Sequence, residues 1–135
     1  MPLADKPPAE IQALIESHIK GFNSQDNGLF LSVFGDTAII IDGIAPYRWM
    51  NPDGPAKWLV DVEKWRAKFG VTQEHLGYEL KFWNVEGSAA YAVVDGALTV
   101  TMKNQSVVRF GTLAYTFANR GGAWKIEAQA WGRTA

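Results

Sequence analysis

The chain has 135 residues, 47% of them apolar, and a formal net charge of −1. This length builds one ordinary domain with a real core, and the near-neutral charge leaves no basic face for nucleic acid and no polybasic stretch for an anionic membrane. Without cysteine there is no disulfide, no thiol nucleophile and no cysteine metal site, and the two histidines, His18 and His75, lie too far apart in sequence to read as a zinc motif.

In chain order, Met1–Pro8 has no apolar h-region, so a signal peptide is not expected. No apolar run approaches about 18 residues, so no membrane span is expected and a cytoplasmic protein is the default reading. Pro7-Pro8 marks a helix entrance, with Glu10 in the first turn, where the helix dipole favours an acid. Ile11, Leu14, Ile15, His18, Ile19 and Phe22 then follow helical spacing, which puts His18 inside an apolar stripe. The polar break Asn23–Gly28 separates this helix from a short second one carrying Leu29, Phe30, Val33 and Phe34, ended by Gly35. Asp36–Gly43 reads as a short β-branched strand that stops at Asp42-Gly43. Ala45–Met50 is a loop rich in aromatics, and Asn51–Pro55 is turn chemistry leading into a third helix with Trp58, Leu59, Val62, Trp65, Arg66 and Phe69 at helical spacing.

From His75 onward the period changes. Long runs rich in Val, Thr, Tyr and Phe predict strands at about 75–85, 89–103, 106–119 and 123–133, joined by Glu86-Gly87, Asn104-Gln105 and Arg120-Gly121-Gly122. Consecutive hairpins imply an antiparallel sheet, and helices followed by strands imply an α+β domain. A single domain spanning 1–135, with a core of about 9–133, is expected. The six Trp, four Tyr and seven Phe are a heavy aromatic load, suited to lining a concave pocket as well as a core.

The order helix, short helix, short strand, helix and four long strands resembles the nuclear transport factor 2-like superfamily, which includes SnoaL-like polyketide cyclases and ketosteroid isomerases. The local likeness lies in Gln25-Asp26 and in Val33–Asp42, with a second match in Gly122-Ala123-Trp124-Lys125-Ile126 and a strand ending in Trp131. The resemblance implies a cone-shaped curved antiparallel sheet with N-terminal helices on its concave face, and a homodimer formed through the outer sheet face. It also implies a pocket for a small hydrophobic molecule and no cofactor or metal. The fold hosts isomerases, dehydratases, cyclases, hydrolases and non-catalytic binding modules, so it does not select an activity.

By this resemblance Asp42 matches the aspartate that acts as general base in the isomerases. A poorly solvated carboxylate at the mouth of an apolar pocket has its pKa raised toward a useful value; the other reading is an exposed Asp-Gly turn. His18 falls where the isomerases carry a tyrosine that donates to the developing oxyanion, and it is otherwise a core histidine bonded to a backbone carbonyl. Leu113 stands where the isomerases place a carboxylic acid, which counts against ketosteroid activity itself. Asp95 is a second proton carrier if Tyr91, Val93 and Asp95 face the cavity, and otherwise marks a bulge with its carboxylate in solvent or at a subunit interface. Arg109 either pairs with one of these acids, binds a substrate carboxylate, or faces solvent. Tyr47 and Trp49 flank Arg48 as a candidate lid or dimer contact, and Tyr91, Tyr115 and Trp131 are candidate pocket walls. Trp58 and Trp65 are explained by core packing. Two functions follow as expectations: a cofactor-free isomerase, cyclase or dehydratase with Asp42 as base, or a non-catalytic ligand-binding or dimeric assembly module.

Overall fold

The computed structural model describes residues 6–135; the stretch Met1–Asp5, part of the start read above as lacking a leader, lies outside the described residues. Three helices and six strands run in the order α1 (Ala9–Ser24), α2 (Asn27–Ser32), β1 (Phe34–Ile41), β2 (Arg48–Trp49), α3 (Gly54–Phe69), β3 (Val71–Glu86), β4 (Ala89–Met102), β5 (Gln105–Arg120) and β6 (Ala123–Arg133). They form one α+β unit around a single six-stranded sheet of order β2-β1-β6-β5-β4-β3.

The four long strands follow the alternation seen in the sequence. Ala90, Ala92, Val94 and Val100 on β4 and Leu113, Tyr115 and Phe117 on β5 are buried on one face. Against them lies the stripe of α1, with Ile11, Ile15 and Ile19 at 0–2% exposure. Each of these isoleucines stabilises the fold by roughly 1.5–3 kcal/mol through burial. The sheet bends around α1 at register shifts between Val71 and Gln73, between Leu80 and Phe82, and between Thr116 and Phe117. Each shift adds a residue to one strand and increases local curvature.

The sequence expectation of a purely antiparallel sheet needs one correction. β1 runs parallel to β6, with Phe34 opposite Ile126 and Ile41 opposite Ala130. Hairpin reasoning constrains only strands joined by tight turns, and β1 leads instead into a long loop and α3. The same loop contributes the two-residue β2, whose Trp49 and Arg48 pair with Ile40 and Ile41. The β4–β5 turn is also one residue earlier than expected: Lys103 and Asn104 both take positive φ, as a type I′ hairpin requires.

The junction of α1 and α2 accounts for the polar break. Gln25 adopts the left-handed conformation as C-cap, and the amide of Asp26 reaches back to the Gly21 carbonyl at 2.9 Å. The Asp26 carboxylate then caps α2 by accepting from Leu29 N at 3.0 Å. At Gly21 a Cβ would sit 2.7 Å from the Phe30 amide nitrogen, so only glycine lets α2 cross this close. Asn23 uses its side-chain amide like a strand residue, donating to Leu76 O at 3.1 Å and accepting from Leu76 N at 2.7 Å. β3 is a sheet edge, and this clamp satisfies part of its open hydrogen-bonding row. Asn23→Ala, which leaves both Leu76 groups unpaired, is expected to lower unfolding free energy by about 2 kcal/mol, measured by urea denaturation.

Candidate active site

Where the apolar stripe of α1 ends at His18 and Phe22, the helix no longer fills the sheet's concavity. A cavity of about 110 Å³ remains between α1, α3 and the inner sheet face. Its wall combines apolar groups (Phe22, Phe30, Trp58, Trp65, Leu76, Leu98, Leu113 and Trp131) with His18, Asp42, Glu74, Arg109, Gln129 and Arg133.

Asp42 follows directly on β1 and is half-buried on this wall. Its Oδ2 accepts from the Trp58 indole Nε1 at 2.8 Å, and its Oδ1 accepts from the Gly43 amide at 2.7 Å. Its own amide donates to the Tyr47 carbonyl at 3.0 Å, which fixes the backbone that carries it. Burial raises its carboxyl above the ordinary 3.8, and the two hydrogen bonds only partly oppose this. The result is a carboxylate held in one orientation and more basic than a surface aspartate.

His18 is 4% exposed, and its Nδ1 meets the Tyr115 hydroxyl at 2.7 Å. Phe30, Phe34 and Tyr115 surround the ring at centroid distances of 5.1–5.6 Å. Burial lowers the imidazole from 6.5 to about 3, so it is neutral at physiological pH. Burial holds the Tyr115 phenol well above its usual 10, so it keeps its proton. That proton needs an acceptor, and His18 Nδ1 is the one the described residues supply. The tautomer that follows carries hydrogen on Nε2, leaving a neutral N–H donor for the cavity. The bond therefore goes to a side-chain hydroxyl, and not to the backbone carbonyl of the alternative sequence reading.

Two glycines make room for the cavity's far wall. Gly96 on β4 stands opposite Gly111 on β5. A Cβ at Gly111 would meet the Trp131 ring at 2.7 Å, and one at Gly96 would meet it at 3.0 Å. The Trp131 ring thus occupies space that side chains at these two positions would take, and the residue lines the cavity.

The structure brings together Asp42, His18, Arg109 and Trp131 on one cavity wall. It does not bring the other five candidates there. Asp95 is exposed on the outer sheet face, opposite Glu79 and Thr112, in unbroken β4 pairing, so neither the second-acid role nor the bulge applies. Tyr91 shares that outer face, 43% exposed, with its ring 6.0 Å from Phe82. The parity of β4 decides both, because the inner positions belong to Ala90, Ala92, Val94 and Gly96. Tyr47 is 61% exposed and away from the cavity. Trp49 is buried in a cluster with Phe30, Ile40, Trp58 and Val62, and donates to Asp61 Oδ2 at 2.7 Å, so it belongs to the core. Tyr115 is fully buried behind His18 and orients it without reaching the cavity surface.

Trp58, Trp65 and Gln129 are cavity residues that sequence reasoning missed. Trp58 and Trp65 share one face of α3, a spacing that core packing explains equally well, and nothing local says that this face overlooks a void. Gln129, 5% exposed, is the inner-face partner of Tyr115 across β5–β6; a polar residue among apolar inner positions was the available signal. Among the described residues no group of three or more His, Asp or Glu is arranged to hold a metal ion, and no helix is long and apolar enough to cross a membrane.

No protein-family model matches the sequence, and no curated protein is detectably similar to it. Solved structures share the fold. A ketosteroid isomerase-like protein from Erwinia carotovora atroseptica SCRI1043 superposes with a TM-score of 0.80 at 15% identity, over 98% of this chain and 99% of that one. The hexachlorocyclohexane dehydrochlorinase LinA-type3 from Novosphingobium barchaimii LL02 gives 0.76 at 20% identity, over 94% and 86%. A nuclear transport factor 2-like superfamily protein from Salmonella enterica gives 0.76 at 16% identity, over 93% and 89%. The chain has the nuclear transport factor 2-like fold.

A pH dependence follows from His18. Its folded pKa lies below its unfolded value, so the stability it carries is complete above pH 6.5 and is lost as pH falls from there toward about 3. This group alone gives a slope of about 1.4 kcal/mol per pH unit within that window. In His18→Phe that slope disappears between pH 6.5 and 4, read from urea midpoints at each pH.

Proposed function

We propose that this protein is a cofactor-free enzyme that moves a proton from carbon on a small, largely apolar molecule, as an isomerase or lyase does. The observation that carries this reading is Asp42. It is a carboxylate with a raised pKa, fixed by Trp58 and Gly43, on the wall of an aromatic cavity. Such a group is held in one geometry and poorly solvated, which suits a general base.

The step balances without a metal. An activated C–H bond breaks, its proton goes to Asp42, and the electron pair moves to a conjugated carbonyl oxygen as an enolate. The neutral Nε2–H of His18 donates to that oxygen, and the Gln129 amide on the neighbouring wall is a second donor. Return of the proton to another carbon completes an isomerisation; loss of a group β to the carbanion completes an elimination. Leu113 offers no hydrogen bond where ketosteroid isomerases place an acid, and a cavity of about 110 Å³ is small for a steroid, so a smaller substrate is favoured. The names of two structural neighbours, one isomerase-like and one a dehydrochlorinase, fit this class of reaction.

Asp42→Asn tests the proposal on a panel of small enolisable ketones and lactones. The expected result is a loss of about 10²–10⁴-fold in turnover. Stability moves the other way. A raised carboxyl contributes stability that is complete below pH 3.8 and lost as pH rises through the folded pKa, so removing the charge raises Tm at pH 7 and does little at pH 4. Wild-type kcat/KM is expected to rise with pH through an ionisation above 3.8, with no second inflection from His18 between pH 4 and 8. Equal turnover by wild type and Asp42→Asn removes the general-base role and leaves a binding module.

We further propose a homodimer through the outer sheet face. Phe82, Tyr91, Val108 and Phe110 are exposed there, and large apolar side chains gathered on one exposed face suit an interface between copies. Sedimentation velocity is expected to give a dimer for wild type and a monomer for Tyr91→Glu/Phe110→Glu.

A further inference from the structure

The charges on the cavity wall are unevenly paired. Both carboxylates already have partners within the chain. Asp42 is held by Trp58 and Gly43, and Glu74 by Arg66, which also contacts Glu63. Neither arginine has an aspartate or glutamate partner among the described residues. Arg133 donates Nε to the Ala135 carbonyl at 3.1 Å. Arg109 has a buried Nε–H with no hydrogen-bond partner at all among the described residues.

Arg109 sits on the inner face of β5, opposite Leu98 of β4 and two residues from Gly111, whose β6 partner is Arg133. The two arginines are therefore diagonal neighbours on adjacent strands, about 7–8 Å apart at the backbone. The Arg109 guanidinium lies over the Trp65 indole, 5.8 Å from Cζ to ring centroid, within cation–π range. That contact holds the guanidinium against the aromatic wall of the cavity that Arg109 lines. A buried cationic donor left unpaired is costly, and a bidentate carboxylate is the partner its fork geometry matches best.

We propose that Arg109 anchors the carboxylate of the ligand, and that the substrate class is a small monocarboxylic acid with a single-ring or similarly compact apolar body. That body would lie against Trp131 and Leu113. β6 separates the Arg109 strand from β1, which ends just before Asp42, so the ligand reaches across Trp131 from its anchored end toward the base. A dry cavity of about 150 Å³ holds benzene; about 110 Å³ with an open mouth limits the apolar part to that scale. The assignment deepens the proton-transfer reading of the same cavity, and it makes a separate claim about charge.

The test is calorimetric binding of benzoate and benzamide, a matched pair of probes differing in charge, to the intact protein. Wild type is expected to bind benzoate at least about tenfold more tightly. Arg109→Gln is expected to abolish that preference, and Arg109→Lys to retain part of it. Asp42→Asn is expected to keep it. Equal binding of the two probes, no binding of either, or a preference that survives in Arg109→Gln overturns the proposal. Should Arg109→Gln fail to fold by circular dichroism, the wild-type pair and Arg109→Lys still decide. A carboxylate preference lost with Arg109, alongside turnover indifferent to Asp42, upholds the anchor and removes the enzyme reading. Asp42-dependent turnover of neutral ketones with no carboxylate preference does the reverse.

Discussion

The structure depends on the curvature of one sheet around one helix. The apolar stripe of α1 buries Ile11, Ile15 and Ile19 only if β3, β4, β5 and β6 wrap it, and flat strands cannot do so. Register shifts in β3 and β6 supply the bend, and Asn23 ties the edge strand to the helix. The cavity follows from the same constraint. A curved sheet encloses more space than α1 fills, and α3 and α2 close it only in part, so a void remains beyond His18 and Phe22.

The void is apolar by area, and that sets the chemistry of the few polar groups on it. Desolvation is the largest influence on both Asp42 and His18, and it acts in opposite directions: it makes the carboxylate more basic and keeps the imidazole neutral. An acceptor of protons and a neutral donor thus share one wall without any exchange of charge between them. Trp58 and Tyr115 hold the two in place, one by donating a hydrogen bond to the carboxylate and one by hydrogen-bonding its hydroxyl to the ring. The same apolar surroundings make the unpaired Nε–H of Arg109 conspicuous, because water cannot satisfy it from within the protein.

Much of this was legible in the sequence. Helical spacing in Ile11–Phe22 and alternation after His75 fix element type through side-chain period alone, and the observed strand ends differ from the expected ones by a few residues. The strand end at Asp42 and the stripe position of His18 were visible for the same reason. The sheet face of Asp95 and Tyr91 stayed open. Both faces of β4 carry apolar residues, so alternation could not say which faces α1. Trp49 reads as a candidate lid or dimer contact because a two-residue strand leaves no periodic signal.

The sequence by itself determined the α+β class, the order of elements and the residues able to do acid–base chemistry, because these rest on local spacing and side-chain type. Only the tertiary structure decided the parallel β1–β6 pairing, the pairing of Asp42 with Trp58, of His18 with Tyr115 and of Arg109 with Trp65, and the role of Gly96 and Gly111 as the floor beneath Trp131. Each of these joins residues brought together by the bend of the sheet. That bend is a long-range consequence of wrapping α1, and no window of sequence contains it.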